Sequence, residues 1–504
     1  MSRVTLSLVL VATALCVVSC SQPTQEGSAV LLPVPDDPTL SFTVWFKVGS
    51  QNDPPGKEGL AWLVGRLVAE GSTRSNSYEQ ILEKLYPLAS TYGVRVDKEM
   101  TTLTGRTHRD NLDAYLELFT AAFLEPAFEE ADFERVRSDT INFLENSLRY
   151  ASDEELGKAA LQDALFRGSR YAHPPQGTVQ GLKAIAVDDA REFYRTWFTR
   201  DNAVLAIGGS YDDALVARLE QSLAGLPEGL PPSLSGIEAV PLEGRHVVLV
   251  SKPDADSSIS FGFPIDVRRG EREFYALWLA NSWLGEHRNS SSHLYQVIRE
   301  ARGMNYGDYS YIEAFPQGGR RSMPPVNVAR SNQIFEVWIR TLPNHQAHFA
   351  LRAAMRELES LVENGMTPEQ FELTRSFLSK YVLHFAETTS ARLGYAVDDR
   401  FYGIDGEGHL ARFRKMMDEL TVEEVNAALK KHLAPDDVMI AIVTGDAGGL
   451  AEALASDAPS PVSYASPKSD EVLAEDEEIA VFPLGIDGER IEILPVEEMF
   501  EGQP

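Results

Sequence analysis

The sequence predicts an α+β protein of two homologous domains, each a mostly antiparallel sheet with helices packed on it. Three observations carry that prediction. Strand-like runs rich in β-branched and aromatic residues are followed by helical runs in a recurring order. Two stretches of the second half repeat stretches of the first at a nearly constant spacing. The chain has 504 residues, 43% apolar and 24% charged, an ordinary globular composition with length enough for two cores.

The elements follow in order. In residues 1–20, MSRVTLSLVLVATALCVVSC, Arg3 precedes an apolar run and small Ser19 precedes Cys20, the layout of a secretory signal. The end of that run, Val17-Val18-Ser19-Cys20, resembles a bacterial lipobox. It predicts a lipoprotein signal peptide over 1–19, lipidation at Cys20 and a polar tether over 20–28. The expected location is the bacterial cell envelope, facing the periplasm and on the outer rather than the inner membrane. Cys16 and Cys20 are the two cysteines of the chain, so a disulfide scaffold or a multi-cysteine zinc site is excluded.

The run Leu40 to Val48, LSFTVWFKV, reads as a strand. The turn residues Asn52 to Gly56 follow, and Gly59 to Glu70 has apolar residues at helical spacing. In the second half, Ser258 to Ile265 reads as a strand and Glu273 to Leu284 as an apolar helix. Phe133-Glu134 with Arg137 opens a long helix that ends near Leu165 to Gly168, and Phe371-Glu372 with Arg375 leads in the same way to Arg400 to Gly403. The segment from Val187 corresponds to the segment from Val422. These matches place an N-terminal domain at 29–236 and a C-terminal domain at 237–456, joined by the proline-rich stretch Gly229 to Gly236. Residues 457–504 form an acidic tail. It carries thirteen acidic residues against Lys468 and Arg490, and its end, IEILPV, suits a short strand. It is expected to pack on the body or to contact a partner.

With 46 Lys and Arg against 75 Asp and Glu, the formal net charge is −29. A nucleic-acid partner is therefore not expected, because phosphate recognition relies on clustered basic residues.

The segment Val48 to Ser72, VGSQNDPPGKEGLAWLVGRLVAEGS, resembles the signature of the pitrilysin/insulinase metallopeptidases, the inverzincin superfamily that includes processing peptidases and the core proteins of the bc1 complex. The resemblance runs over most of residues 40–450 and implies the fold of one half of a metallopeptidase clam-shell. Active members carry H-x-x-E-H on the helix after G-L-A: two His one turn apart bind zinc, and the Glu serves as general base. Here those five positions are Trp62, Leu63, Val64, Gly65 and Arg66. Neither Trp62 nor Gly65 supplies a ligand, and Arg66 places a fixed positive charge where the dication belongs. The later glutamate of the family matches Glu145. Two structural roles are open to it, an ion pair with Arg66 in the place of the metal or simple solvation on a helix. No catalytic residue is therefore intact and no metal or other cofactor is expected in this chain.

The same resemblance aligns HLYQVIREARGMNY with the family's Arg and Tyr seven residues apart, here Arg299 and Tyr306. It implies a substrate-binding role, with Arg299 donating to peptide carbonyls and the Tyr306 hydroxyl supporting an oxyanion. By pattern alone, the pair reads as an arginine bound to a nearby carboxylate and a tyrosine packed in a strand. His345 and His348 have a metal-like spacing without an evident third ligand and read as solvated helix-cap residues. Glu286, His287 and His293 flank a polar NSSS loop, where the non-catalytic processing-peptidase subunit has a glycine-rich stretch, so that presequence-handling role is not expected.

Together these readings describe a non-catalytic, substrate-binding subunit of a two-chain zinc metallopeptidase, lipid-anchored in the envelope. Its expected partners are a homologous subunit bearing the zinc motif, an unfolded peptide, and the membrane through lipidated Cys20. The alternative is a purely structural homologue with no part in proteolysis.

Overall fold

A computed structural model describes residues 29–232 and 239–502. The expected signal peptide, Cys20, the tether and the 236/237 boundary lie outside the described residues. Among the described residues no helix is long and apolar enough to cross a membrane.

The first sheet contains β1 (Val30–Pro33), β2 (Thr39–Phe46), β3 (Thr91–Val96), β4 (Thr101–His108) and β5 (Ala203–Gly209), in the order β1-β5-β2-β4-β3. All its pairings are antiparallel except β1 with β5. Its half of the chain also holds α1 (Leu60–Glu70), α2 (Tyr78–Leu85), α3 (Leu112–Leu124), α4 (Glu130–Asn142), α5 (Asp153–Leu165), α6 (Val179–Ala184), α7 (Val187–Trp197) and α8 (Asp213–Ser222). The second sheet contains β6 (His246–Ser251), β7 (Ser257–Ile265), β8 (Asp308–Tyr311), β9 (Gln333–Leu342), β10 (Met439–Thr444) and β11 (Ile491–Pro495), in the order β11-β6-β10-β7-β9-β8. With it come α9 (Arg272–Gly285), α10 (Ala347–Asn364), α11 (Pro368–Tyr381), α12 (Thr389–Tyr402), α13 (Gly408–Glu419), α14 (Val422–His432), α15 (Ala447–Ala455) and α16 (Asp470–Ala480).

The fold is the expected one, a mixed α+β chain built twice. Strands β6, β10, β7, β9 and β8 repeat the order of β1, β5, β2, β4 and β3. Helices α7 and α14 start at the two valines, Val187 and Val422, that the sequence match aligns. Among the described residues, strand β11 has no counterpart in the first sheet.

Period-two patterning explains how the sheets are covered. In β2, Phe42, Val44 and Phe46 point into the core that holds α1, α3 and α7. Trp45 points to the other face and packs with Leu393 and Val397 of α12. Ser41 on the same face meets the Ser390 hydroxyl at 2.8 Å. So the outer face of the first sheet is sealed by a helix of the second half. The second sheet is sealed reciprocally, because α5 of the first half lies on β7 and β10.

This exchange depends on a departure from the sequence expectation. The long helix opening at Phe133 is two helices, not one. It runs through a π-helical stretch, Phe143–Ala151, and breaks at Ser152, whose extended backbone and hydroxyl cap the start of α5 through the Glu155 N–H. In the second half the break falls before Thr388, whose hydroxyl accepts from the Ala391 N–H and caps α12. Each break lets the following helix leave its own half and cross to the other sheet.

Buried polar contacts hold the exchange in register. Arg330 of the second half binds Asp97 of the first at 2.6 Å, and Arg340 binds Glu154 of α5 at 2.7 Å. Lys158 of α5 places its ammonium 4.0 Å above the Trp338 ring and 4.8 Å from that of Tyr311.

The acidic tail packs on the body. Helix α16 is held by Arg302, which binds Asp476 and Glu475 at 2.8 Å each, and by Arg356, 3.1 Å from both Glu475 and Glu478. Arg352, fully buried, binds Asp457 at 2.7 Å. The chain then adds β11 parallel to β6 as the short strand read from IEILPV. Beyond it Val496, Met499 and Phe500 enter the core of the first half. The Met499 carbonyl accepts from Arg149 Nε and Nη2 at 2.9 and 2.8 Å, and Glu501 pairs with the same guanidinium at 2.9 Å. The tail is thus a strap that starts on one half and ends in the other.

Candidate functional site

Helix α1 carries the degenerate motif. It starts at Gly59, whose φ of 108° lies in the left-handed region open to glycine. The Asp53 carboxylate caps it, accepting from the N–H groups of Gly59 and Ala61 at 2.7 Å each. Burial pushes the Asp53 carboxyl up to about 8, against those two bonds, which favour the charged form. Trp62, Arg66 and Glu70 form the half-exposed stripe of the helix, and Leu63, Val64 and Leu67 are buried beneath it. The two positions where active relatives place histidines therefore share one exposed face. Trp62 Nε1 and Arg66 Nε on that face are buried with no hydrogen-bond partner among the described residues. Gly65 packs inward: a Cβ there would meet Val96 Cγ2 of β3 at 2.4 Å.

Of the two roles open to Glu145, the ion pair with Arg66 is not formed and the partly solvated helix position is what the structure shows. Arg66 binds Glu70, one turn along its own helix. Glu145 lies in the π-helical stretch with its side chain 39% exposed, and Lys183 approaches it at 4.0 Å. The i,i+4 geometry of α1 supplies Arg66 with a closer carboxylate than the neighbouring helix does. Zinc takes His, Cys or carboxylate donors. An indole, a glycine, a guanidinium already paired and one carboxylate turned to a lysine do not fit that ion.

The second site is built by a tight turn. Arg299 lies in the π-helical turn Tyr295–Glu300, which closes as the Gly303 N–H donates to the Arg299 carbonyl at 2.7 Å. Asn305 then fixes the chain on both sides of Tyr306. Its side-chain oxygen accepts from the Gly307 N–H at 3.2 Å, and its amide donates to Asp308 Oδ1 at 2.6 Å. Tyr306 projects from the turn 77% exposed, with the Arg299 guanidinium 5.6 Å from its ring centroid. The structure thus brings Arg299 and Tyr306 together. Arg299 enters no ion pair among the described residues and Tyr306 is not packed in a strand, so neither part of the pattern-only reading of the pair applies. No hydrogen bond or ion pair joins this turn to α1 among the described residues.

Residues that the sequence reading passed over support the turn from behind. Lys468 of the tail donates to the Ala301 carbonyl at 2.8 Å, and Arg302 is the buried anchor of α16. Asp308 is fully buried, and burial pushes its carboxyl up to about 8, opposed by the Asn305 amide and by Arg340 and Arg299. A raised native value means that Asp308 holds its proton over a range in which the unfolded chain has lost it. Its contribution to stability is then complete below the ordinary Asp range and is lost as pH rises through about 8. Asp308→Asn keeps the acceptor for Asn305 and removes the titration. Thermal denaturation from pH 6 to 9 is expected to show a shallower fall in Tm for the variant; an unchanged slope would leave Asp308 out of the titration.

The histidines away from these sites are structural. His287 is buried among Tyr309, Tyr311, Phe315 and Trp338, bonded to the Tyr311 hydroxyl at 2.8 Å and the Arg321 carbonyl at 2.9 Å. Neighbouring Glu286 is buried, and burial pushes it up to about 7. His293 stacks on Trp283 and binds Glu357 at 2.6 Å. His345 is exposed as expected, but His348 is buried on α10, where loss of solvent lowers it to about 4. No group of three or more His, Cys, Asp or Glu is placed to hold a metal ion among the described residues.

Comparison with known proteins gives these two segments a common setting. Residues 29–175 match the insulinase family, peptidase family M16, and residues 184–378 match the peptidase M16 inactive domain. The chain belongs to the insulinase family. An uncharacterised zinc protease of Streptomyces coelicolor is 24% identical over 344 residues, which cover 67% of this chain and 70% of that protein. A non-peptidase homologue of Helicobacter pylori is 21% identical over 403 residues, 79% of this chain and 87% of its own length. The crystal structure of a peptidase M16 inactive domain from Pseudomonas fluorescens superposes with a TM-score of 0.71 at 22% identity, covering 82% of this chain and 94% of that one.

Proposed function

We propose that this chain is the non-catalytic, substrate-binding subunit of a two-chain zinc metallopeptidase, acting with a homologue that carries the intact H-x-x-E-H motif. The observation that carries the reading is the contrast between its two sites. The α1 face offers no donor set for zinc, whereas exposed Tyr306 and half-buried Arg299 stand adjacent, with no ion pair at Arg299 among the described residues. In this reading the Arg299 guanidinium donates to backbone carbonyls of a bound peptide. The Tyr306 hydroxyl donates to the oxygen on which negative charge develops as the scissile bond is attacked in the partner's site. The similarity to an M16 inactive domain and to a non-peptidase homologue agrees with a chain that does not hydrolyse peptides by itself. Lipidation at Cys20 would hold the pair at the periplasmic face of the envelope.

Co-expression with a zinc-motif homologue tests this. Peptidase activity is expected to require both chains. Arg299→Ala together with Tyr306→Phe is expected to lower kcat/KM by about 10²-fold or more with the two chains still associated. Activity that survives the double substitution overturns the substrate role, and a stable pair without peptidase activity favours scaffolding.

A further inference from the structure

A cleft of about 510 Å³ opens where the two halves meet, away from both segments described above. The first half contributes the end of β2 and the loop that follows, with Trp45 and Lys47. The second half contributes the loop before α9, the C-terminal end of α12 and one side chain of α13. Its charge is opposite to that of the molecule. In a chain of net charge −29, five cationic side chains line this one cleft, and four of them are Lys47, Arg268, Arg400 and Arg412.

None of the four forms an ion pair shorter than 3.7 Å among the described residues. Lys47 and Arg400 enter no ion pair among the described residues. Arg412 gives an N–H to the Gly270 carbonyl at 3.0 Å and lies near enough to Asp399 to favour its charged form, and among the described residues Arg268 pairs with the exposed Asp266 alone, at 3.7 Å. The two carboxylates of the cleft form no ion pair with these cations among the described residues. Glu99 accepts from the Ser331 N–H and hydroxyl at 2.5 and 2.8 Å and from the Tyr171 hydroxyl. Glu271 accepts from the Arg268 backbone N–H at 3.1 Å. A fifth cation, Arg269, is buried and already satisfied by Glu313 and Asp398 at 2.8 and 3.1 Å. Partial burial and then the Arg400 charge lower the Lys47 ammonium below the ordinary lysine range. Set against Glu99 and Glu271, the cations leave the lining net positive; cations gathered in a concave site repel one another, and the arrangement is stabilised when an anion enters.

We infer that this cleft binds a small polyphosphate anion, of the di- or triphosphate class, bridged between Lys47 of the first half and Arg268, Arg400 and Arg412 of the second. Guanidinium groups present paired N–H donors that match phosphate oxygens, and the ammonium adds a point charge. The volume is in the range of small-ligand sites and exceeds what one monovalent ion needs. A long nucleic acid is disfavoured, because the acidic surface beyond the cleft repels a polymer that the cleft alone would admit. Because its cations come from both halves, the bound anion ties them together and stabilises the folded chain.

Calorimetric titration of the purified full-length chain with inorganic pyrophosphate and triphosphate, at matched ionic strength, tests the inference. One saturable site and a rise in Tm with ligand concentration are expected. Lys47→Ala with Arg400→Ala is expected to weaken binding tenfold or more. Arg268→Gln with Arg412→Gln should do the same, so the conclusion does not hang on one variant. Lys380→Ala, exposed and outside the cleft, should leave the affinity unchanged. Absence of saturable binding, or an affinity that neither double variant alters, overturns the site.

Discussion

Removal of residues 496–504 is expected to cost about 5 kcal/mol or more of folding stability, although these residues lie beyond the last strand. Val496, Met499 and Phe500 are at most 6% exposed, and all three pack in the core of the first half. Burying side chains of this size contributes about 1.5–3 kcal/mol each. The deletion also strips Arg149, itself buried, of the Met499 carbonyl and of Glu501. A buried charge left without its partners adds several kcal/mol more. Since whole domains are stable by about 5–15 kcal/mol, the shortened chain should sit at or past the unfolding threshold at 37 °C. Urea denaturation and limited proteolysis provide the check. A midpoint within error of the parent's would show that the strap is dispensable.

Restoring the metal motif is expected to fail. The triple variant Trp62→His, Gly65→Glu, Arg66→His recreates H-x-x-E-H in sequence, but its middle position faces β3. The new Cβ would lie 2.4 Å from Val96 Cγ2, so the strand or the helix must shift. Overpacking of this kind, with a carboxylate brought into an apolar contact, costs about 2–3 kcal/mol. The one remaining carboxylate, Glu145, also has Lys183 4.0 Å away, a cation that would compete with the metal for it. The variant should melt earlier than the parent and retain no stoichiometric zinc after dialysis. Adding Val96→Ala should recover part of the stability without creating a metal site. A triple variant that is stable and holds zinc would show that the loss of the motif is only a matter of ligand identity.

Much of the fold was legible because its signals are local. The alternation in β2 and the burial pattern of α1 follow from side-chain periodicity alone, and the duplication showed as a spacing. The breaks at Ser152 and before Thr388 were less visible, although a serine followed by Asp153, Glu154 and Glu155 is a helix-start signal. Continuous helical composition on both sides concealed it. Of the two roles open to Glu145, the pair with Arg66 rested on the family's metal geometry, whereas the i,i+4 carboxylate of Glu70 needs no tertiary contact. The docking of the tail was not legible, because β11 pairs with a strand about half the chain away and no local rule selects that register. Packing on the body was one expectation for it, but nothing local names the partners of its acidic residues. Their partners Arg302, Arg352 and Arg356 declare themselves only once the fold brings them together.

The exchange of α5 and α12 between the two sheets has a mechanical meaning. A hinge between the halves would have to peel two helices from the sheets they cover and to part Arg330 from Asp97 and Lys158 from its aromatic seat. Such a joint is welded rather than articulated, and the chain should move as one rigid plate. A plate cannot swallow anything by bending. On the proposed function, a peptide held at Arg299 and Tyr306 would have to be closed over by a separate body, and the rate of opening and closing would belong to that seam.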